Sequence, residues 1–283
     1  MRIDAHQHFW IYDAAHYPWI PTGSPLQRDW LPTDLAKHLA RHNLDGSIAV
    51  QARQTEYESQ WLLTLADHCP SILGVVGWVD LRSETVHERL ALLARHPRFV
   101  GVRHVLQDEP DDRFMLHPDF ARGIAALASE RLTYDLLIYP RQLAAAIALV
   151  RAFPNQPFVL DHLAKPPVKT RELSPWREQL HELAQLPNIL CKVSGMVTEA
   201  DHANWKPDDF TAYMEVMLEA FGPDRIMFGS DWPVCLLAAT YDQVVEIAER
   251  FLGQLSPVEQ AAVMGGNAAR FYNLERLPKL ISV

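Results

Sequence analysis

The chain has 283 residues, 48% of them hydrophobic, with 35 acidic residues against 26 basic ones and a net charge of −9. This length is enough for a sizeable core, and barrels of alternating strands and helices reach about 250 residues as one domain. The negative charge argues against a nucleic-acid partner, because binding to a phosphate backbone depends on Lys and Arg.

The cysteines and the apolar runs bear on the compartment. Cys69, Cys191 and Cys235 form no CxxC pair and are odd in number, so we expect reduced thiols and a cytoplasmic location rather than a disulfide framework. The first residues show no basic segment followed by an apolar core, so we expect no signal peptide. No apolar run approaches about 18 residues, so we expect no membrane partner.

Short apolar strands alternate with helices along the whole chain. We predict strands at residues 2–8, 46–51, 73–79, 100–105, 133–139, 157–162, 189–194 and 225–230. We predict helices at residues 33–42, 55–69, 83–96, 118–131, 140–153, 174–185, 208–221 and 241–252, and a last short one at 267–272. Thr55 with Glu58 and Ser256 with Glu259 have the spacing of capping boxes.

Eight strand–helix units predict an α/β fold, a (β/α)8 barrel of the TIM type. We expect one domain over residues 1–283 with a short C-terminal helical appendage. A doubly wound open sheet is the alternative, and the absence of a GxGxxG motif after the first strand argues against it. The long loop at 9–32 is rich in Trp, Tyr and Pro, and loops of this length are typically lids or binding loops, so we expect it to cover the active site.

The ends of the predicted strands indicate where chemistry occurs, since the active site of such a barrel lies at the C-terminal ends of its strands. His6 and His8 alternate with Gln7 at the end of the first strand, so both imidazoles point the same way. The other strand ends bring ionisable, polar and aromatic side chains: Gln51, Arg53, Trp78, Asp80, Arg103, His104, Tyr139, His162, Lys165, Ser194 and Asp231.

Several of these residues lie in recognisable motifs. They are Asp4-Ala5-His6-Gln7-His8-Phe9-Trp10, Gln51-Ala52-Arg53, Gly101-Val102-Arg103-His104, Leu160-Asp161-His162-Leu163-Ala164-Lys165-Pro166, Lys192-Val193-Ser194-Gly195 and Gly229-Ser230-Asp231-Trp232-Pro233. Together they resemble the amidohydrolase superfamily, and within it the amidohydrolase-2 branch. The sequence is most similar there to the sugar-lactone hydrolases of the L-fuconolactonase and L-rhamnonolactonase type. The motifs extend from the first strand to the last.

The metal pattern departs from that of the superfamily. Its binuclear members carry a bridging Lys or Glu on the fourth strand, where this chain has Arg103, which stays protonated and cannot ligate a metal. The usual histidine of the fifth strand is replaced by Tyr139, so we expect no two-metal site. The resemblance leaves two possibilities: no required cofactor, or a single divalent metal such as zinc held by His6, His8 and Asp231.

The resemblance implies a lactonase that opens a sugar lactone to the sugar acid in carbohydrate catabolism. Asp231 would be the general base on water, with His6, His8 and His162 polarising the carbonyl. We expect the remaining strand-end residues to bind the substrate. Arg53, Arg103 and His104 would hold hydroxyls or a carboxylate, and Trp10, Trp19, Trp78 and Trp232 would form an aromatic wall. Lys192, facing the barrel interior, is expected to pair with a carboxylate.

Three alternatives remain open at this point. A carboxylated lactone of the muconolactone or pyrone type would be favoured by more arginines in the site. A zinc-dependent decarboxylase would need a complete mononuclear metal set, and the absent fifth-strand histidine counts against it. A non-enzymatic binding protein would have no need for a base such as Asp231. The sequence leaves the oligomeric state open between a monomer and a homo-oligomer.

Overall fold

The structure is a computed structural model that describes residues 1–274. The strands are β1 (Ile3–Gln7), β2 (Gly46–Val50), β3 (Ile72–Gly77), β4 (Phe99–His104), β5 (Thr133–Leu136), β6 (Phe158–Leu160), β7 (Ile189–Val193) and β8 (Ile226–Phe228). The helices are α1 (Pro32–Arg41), α2 (Glu56–His68), α3 (Val86–Leu93), α4 (Pro118–Glu130), α5 (Leu143–Ala152), α6 (Trp176–Ala184), α7 (Thr211–Phe221), α8 (Tyr241–Leu252), α9 (Pro257–Ala261) and α10 (Asn267–Phe271). Each predicted strand and helix is present, and the predicted ends overrun by two or three residues at β3, β5, β6, β8, α3, α5, α6 and α7.

The strands form one parallel sheet in sequence order from β1 to β8. The two edge strands meet through loop residues: Asp231 N donates to His6 O at 2.8 Å, and His8 N donates to Trp232 O at 2.7 Å. The sheet is therefore nearly closed, with a helix after each strand, which confirms the (β/α)8 barrel. Closure brings the end of β1 directly beside the residues that follow β8.

The apolar strands supply two hydrophobic clusters. The larger one lies between strands and helices, and the smaller one joins strand side chains such as Ile3, Val76 and Met227 to Ala268 and Tyr272 of the C-terminal segment. Gly265 runs so close to the chain start that a Cβ on it would lie 2.5 Å from Met1 O. The C-terminal helices thus pack against the barrel at the end where β1 begins.

One of the two predicted capping boxes is present. Ser256 and Glu259 form the predicted capping box at α9. Thr55 caps α2 through its side chain, but Glu58 does not return to Thr55; its carboxylate accepts from the backbone of Ala52 and Arg53 instead. Within residues 1–274, no helix is long and apolar enough to cross a membrane.

The loop between β1 and α1 folds back on itself. Trp10 and Trp30 pair in antiparallel fashion, with N–O distances of 3.0 and 2.9 Å, and the Trp10 indole donates to Arg28 O at 2.9 Å. These contacts hold the tip of the loop, which includes Trp19, beside the ends of the first strands, since the Trp19 indole donates to Ala52 O.

Candidate active site

Three histidines converge on one carboxylate oxygen at the C-terminal end of the barrel. The Nε2 atoms of His8, His162 and His6 lie 3.3, 3.8 and 3.9 Å from Oδ1 of Asp231. All four side chains are buried or nearly so. The structure thus brings together the four residues for which the sequence predicts catalytic roles.

The backbone around these residues is unusual. Asp231, three residues after β8, has a φ of +57°, and His162, two residues after β6, has a φ of +54°, a region that L-residues rarely adopt. Gly195 leaves space for the imidazole, since a Cβ there would lie 2.5 Å from Nδ1 of His162. Such conformations are typical of functional sites, where the fold holds a side chain in a required direction.

Beneath the histidines lies a buried network of charges. Lys192 Nζ is 2.5 Å from Asp135, 3.0 Å from Asp161 and 3.1 Å from Nδ1 of His6. Arg103 lies 3.1 Å from Asp161 and 3.2 Å from Nε2 of His6. The predicted pairing of Lys192 with a carboxylate is confirmed. Buried charges of both signs are compensated here, as their desolvation requires.

Burial and neighbouring charges set the protonation states at neutral pH. Burial lowers the pKa of His162 to about 4 and that of His6 well below its usual value, so both imidazoles are neutral. Burial opposes the ionisation of Asp231, but His162, His8 and His6 together hold its pKa below its usual range. Asp231 is therefore ionised in the working range of pH, the state that a general base needs.

The hydrogen bonds of His8 fix its tautomer. Nδ1 lies 2.8 Å from the carbonyl of Val50, so it carries the proton and donates. In neutral His8, Nε2 is then a lone pair that faces the Asp231 carboxylate at 3.3 Å. Two acceptors at this distance are stable only with a proton or a cation between them.

This donor set fits one divalent ion. His6, His8 and Asp231 each offer a ligand atom within 4.8 Å of the others, and imidazole with carboxylate is a ligand set that zinc takes. Arg103 donates to Nε2 of His6 at 3.2 Å, so this nitrogen would have to give up that hydrogen bond to ligate the ion. A second group contains His6, Asp161 and His162, but Asp161 is already paired with Lys192 and Arg103.

A cavity of about 550 Å³ opens above Asp231. His8, His162, Arg53 and Arg103 line it, as the sequence predicts. The loop after β1 contributes His16, Pro18, Trp19 and Pro21. Other lining residues follow further strands: Gln51, Ala52, Gln54, Val105, Gln107, Asp108, Leu137, Tyr139, Lys165, Thr198, Glu199, Val234 and Leu237.

Two of the predicted substrate-binding tryptophans lie elsewhere. Trp232 is fully buried, edge-on to Trp30 with 5.1 Å between ring centroids. Trp10 is also fully buried and packs edge-on against Trp19 at 5.6 Å. Neither residue lines the cavity, because each fills the hydrophobic interior of the loop after β1. Their predicted contact with substrate is corrected to a packing role, and Trp19 is the tryptophan that reaches the cavity.

Trp78 and His104 form a separate chain beside the cavity. The Trp78 indole donates to Nδ1 of His104 at 3.3 Å, and Nε2 of His104 lies 2.7 Å from Glu109. His104 also stacks on Phe114, with ring centroids 5.2 Å apart. Neither Trp78 nor His104 is among the cavity-lining residues: Trp78 is hydrogen-bonded to His104, and His104 packs against Phe120 of α4.

Sequence reasoning assigned no role to several buried carboxylates. Asp135 and Asp161 are the partners of Lys192, and Asp4 accepts from Ser230, Tyr241 and the backbone of His6. A signal was available, since Asp135 interrupts an apolar strand just as Lys192 does, and two opposite charges in apolar strands of one barrel are expected to pair.

A (β/α)8 barrel with paired histidines ending β1, a histidine after β6 and an aspartate after β8 has the site of an amidohydrolase. The chain belongs to the Amidohydro_2 family of amidohydrolases, whose model matches residues 3–274. This confirms the resemblance found in the sequence.

Similar proteins extend over nearly the whole chain. It is 46% identical to an L-fucono-1,5-lactonase of Burkholderia multivorans, over 97% of this chain and 96% of that one. It is 38% identical to an L-fucono-1,5-lactonase of Burkholderia ambifaria, over the same shares. A crystal structure of an amidohydrolase from Burkholderia multivorans with bound zinc is 46% identical, covers 98% of this chain and 100% of that one, and superposes with a TM-score of 0.93.

Proposed function

We propose that this protein hydrolyses a sugar lactone, an aldonolactone of the 1,5 type, to the corresponding sugar acid. The observation that carries the proposal is the convergence of three imidazole nitrogens on an ionised Asp231 at the base of the cavity. The similarity to the two L-fucono-1,5-lactonases supports this substrate class. A lactone is an activated ester, so a base, oxyanion stabilisation and an acid are sufficient.

Asp231 acts twice in the proposed reaction. Its carboxylate takes a proton from a water molecule, whose oxygen attacks the lactone carbonyl carbon and forms a tetrahedral oxyanion. The bond from that carbon to the ring oxygen then breaks, and the Asp231 carboxyl returns its proton to the departing oxygen. The product is the open hydroxy acid, so one water is consumed and no proton is left on the enzyme.

Charge development on the carbonyl oxygen requires compensation. His162 can donate to the carbonyl oxygen through Nε2–H when its Nδ1 accepts from the Ser194 hydroxyl at 2.8 Å, and the Arg103 guanidinium, 3.2 Å from Nε2 of His6, adds a fixed positive charge. His6 and His8 present lone pairs at Nε2, so they polarise the carbonyl through a proton or cation that they hold. Arg103 is held by Asp161 and by Gln51 O, so this charge is in place before the substrate binds. A divalent ion held by His6, His8 and Asp231 would supply Lewis-acid polarisation.

The charges around the cavity favour a neutral substrate. Three cationic side chains line it, from Arg53, Arg103 and Lys165, and three anionic ones, from Asp108, Glu199 and Asp231. A carboxylated lactone of the muconolactone or pyrone type would favour an excess of cations, because each added carboxylate needs a partner when it leaves water. The balanced cavity fits polyhydroxylated rings better.

The test measures hydrolysis of a panel of aldonolactones by proton release in weak buffer. Carboxylated lactones are assayed in the same way for comparison. Turnover of a 1,5-aldonolactone supports the proposal, and turnover of only carboxylated lactones contradicts it. Chelator treatment with zinc add-back runs in parallel. Activity that survives chelation shows that the side chains suffice, and activity restored by zinc shows that the ion is required.

A further inference from the structure

Lys165 reaches the cavity through an unusual backbone segment. Four consecutive non-glycine residues, His162–Lys165, have φ values of 54°, 53°, 57° and 52°, which is one turn of left-handed helix. Single residues adopt this region occasionally, but a run of four is disfavoured by contact between Cβ and the carbonyl oxygen. The turn carries His162 at its start and Lys165 at its end, and both line the cavity.

The surrounding structure keeps this turn in place. Lys165 N donates to His162 O at 2.6 Å, which closes the turn, and the buried Trp176 indole donates to Leu163 O at 2.8 Å. Leu163 and Ala164 are fully buried. The position of the Lys165 side chain is therefore fixed together with that of His162, which faces Asp231.

Glu199 lies opposite Lys165 on the loop after β7. The Lys165 ammonium is 3.6 Å from the nearer carboxylate oxygen of Glu199 and 5.2 Å from the centroid of the Tyr139 ring. The two charged side chains are only 16% and 22% exposed. Among the hydrogen bonds within residues 1–274, none involves the Lys165 ammonium, so the donors of this largely buried cation are available to a ligand in the cavity.

A purely structural ion pair would be expected to close to about 2.8 Å, the length of a charge-assisted hydrogen bond. This pair is wider, yet both members face the space above Asp231. A hydroxyl group placed between them can accept from the ammonium and donate to the carboxylate at once. A pair of this kind recognises a hydroxyl group, whereas a methylene group can form no hydrogen bond with either member.

We propose that Lys165 and Glu199 together bind a ring hydroxyl of the substrate and so select hydroxylated lactones over lactones that lack hydroxyls. The inference rests on the proposed lactone hydrolysis and names the residues of that site that determine specificity. The ion pair carries no net charge, so it offers a substrate carboxylate no surplus cation at this point. Lys165 and Glu199 bind substrate in this proposal and take no part in proton transfer.

The experiment compares Lys165→Met, Glu199→Gln and the double variant on two substrates, L-fucono-1,5-lactone and δ-valerolactone, by proton release. We expect kcat/KM on the hydroxylated lactone to fall by about 10- to 100-fold in each single variant, mainly through KM, and to fall much less on δ-valerolactone. Because the two residues bind one hydroxyl, the double variant should lose little more than either single variant. Lys169→Met, on an exposed lysine nearby, is the control and should match the wild type on both substrates.

The outcomes separate the inference from the function on which it rests. A wild type that hydrolyses neither lactone contradicts the proposed function. A wild type that hydrolyses both, with variants that lose activity equally on both, leaves the function standing and overturns the selection by Lys165 and Glu199. Circular dichroism and thermal unfolding of each variant identify any loss that comes from misfolding, and Lys165→Arg, which keeps the charge, should recover part of the selectivity if the pair binds substrate.

Discussion

The base of the cavity and its wall are built differently. At the base, Lys192 contacts Asp135 and Asp161 at 2.5 and 3.0 Å in a region that solvent does not reach. On the wall, Lys165 and Glu199 stand 3.6 Å apart and are partly exposed. Tight, fully compensated charges fix the reacting groups, whereas loosely paired charges leave hydrogen-bonding capacity for a ligand. The difference suggests a rigid base for chemistry and an adaptable wall for selection.

The strongest test of this comparison is removal of the proposed general base, Asp231. Asp231→Asn keeps the shape of the side chain but cannot accept a proton from water, so we expect kcat on an aldonolactone to fall by about 10²- to 10⁴-fold. Proton release under saturating substrate measures it. Asp224→Asn changes the same residue type at an exposed position and should leave kcat unchanged. Retention of activity within tenfold in Asp231→Asn would contradict the role of Asp231.

The second test concerns the buried network. Lys192→Met leaves Asp135 and Asp161 with one cation fewer in a dry interior, and we expect a loss of about 3–5 kcal/mol in the free energy of unfolding. Arg250→Met breaks the exposed pair with Asp208, whose side chains are 64% and 80% exposed, and should cost at most about 1 kcal/mol. Urea unfolding measures both variants. Equal losses of unfolding free energy in the two variants would show that the base of the cavity is no more rigid than the surface.

A third test uses the buried carboxylate of Glu58, which lies outside the set of cavity-lining residues. Glu58 accepts from Ala52 N, Arg53 N and the Tyr17 hydroxyl, so it joins the loop after β1 to the end of β2. Burial raises its pKa to about 7 from 4.5. Between these values the native protein holds a proton that the unfolded chain has released, so Glu58 makes the free energy of unfolding fall as pH rises.

Glu58→Gln should remove this dependence. Relative to the variant, the wild type should lose about 3 kcal/mol of unfolding free energy between pH 4.5 and 7, which urea unfolding across that range measures. Glu178→Gln, at an exposed glutamate, should run parallel to the wild type. If the curves of wild type and Glu58→Gln are parallel as well, the Glu58 carboxylate is not buried as described.

The sequence predicted the barrel and the end of the barrel at which the active site lies, because both depend on local patterns. Strand and helix periodicity repeats eight times, and the ends of parallel strands meet at one edge. This was sufficient to place His6, His8, His162 and Asp231 together, and the structure does so.

Other features depend on contacts between distant residues and were not predictable in that way. Trp10 and Trp232 look like wall residues in the sequence, yet the folding of the loop after β1 buries both. The left-handed turn at His162–Lys165 contains no glycine that would indicate a positive φ in the sequence. It is held in place by contacts with Trp176 and Gly195. Such features result from packing between residues that are distant in the sequence. The residue pattern along one strand does not contain that information.

The smallest expected effect concerns the predicted lid. Trp19 is 40% exposed and lines the cavity, while its indole donates to Ala52 O at 3.1 Å. We expect Trp19→Ala to raise KM by about 5- to 30-fold, the loss of roughly 1–2 kcal/mol of aromatic contact, with kcat within twofold of the wild type. Tyr57→Ala removes an aromatic ring that is 74% exposed and outside the cavity, so its KM should not change. A fall in kcat with an unchanged KM in Trp19→Ala would instead assign Trp19 to the rigid base, and the division between base and wall would have to be redrawn.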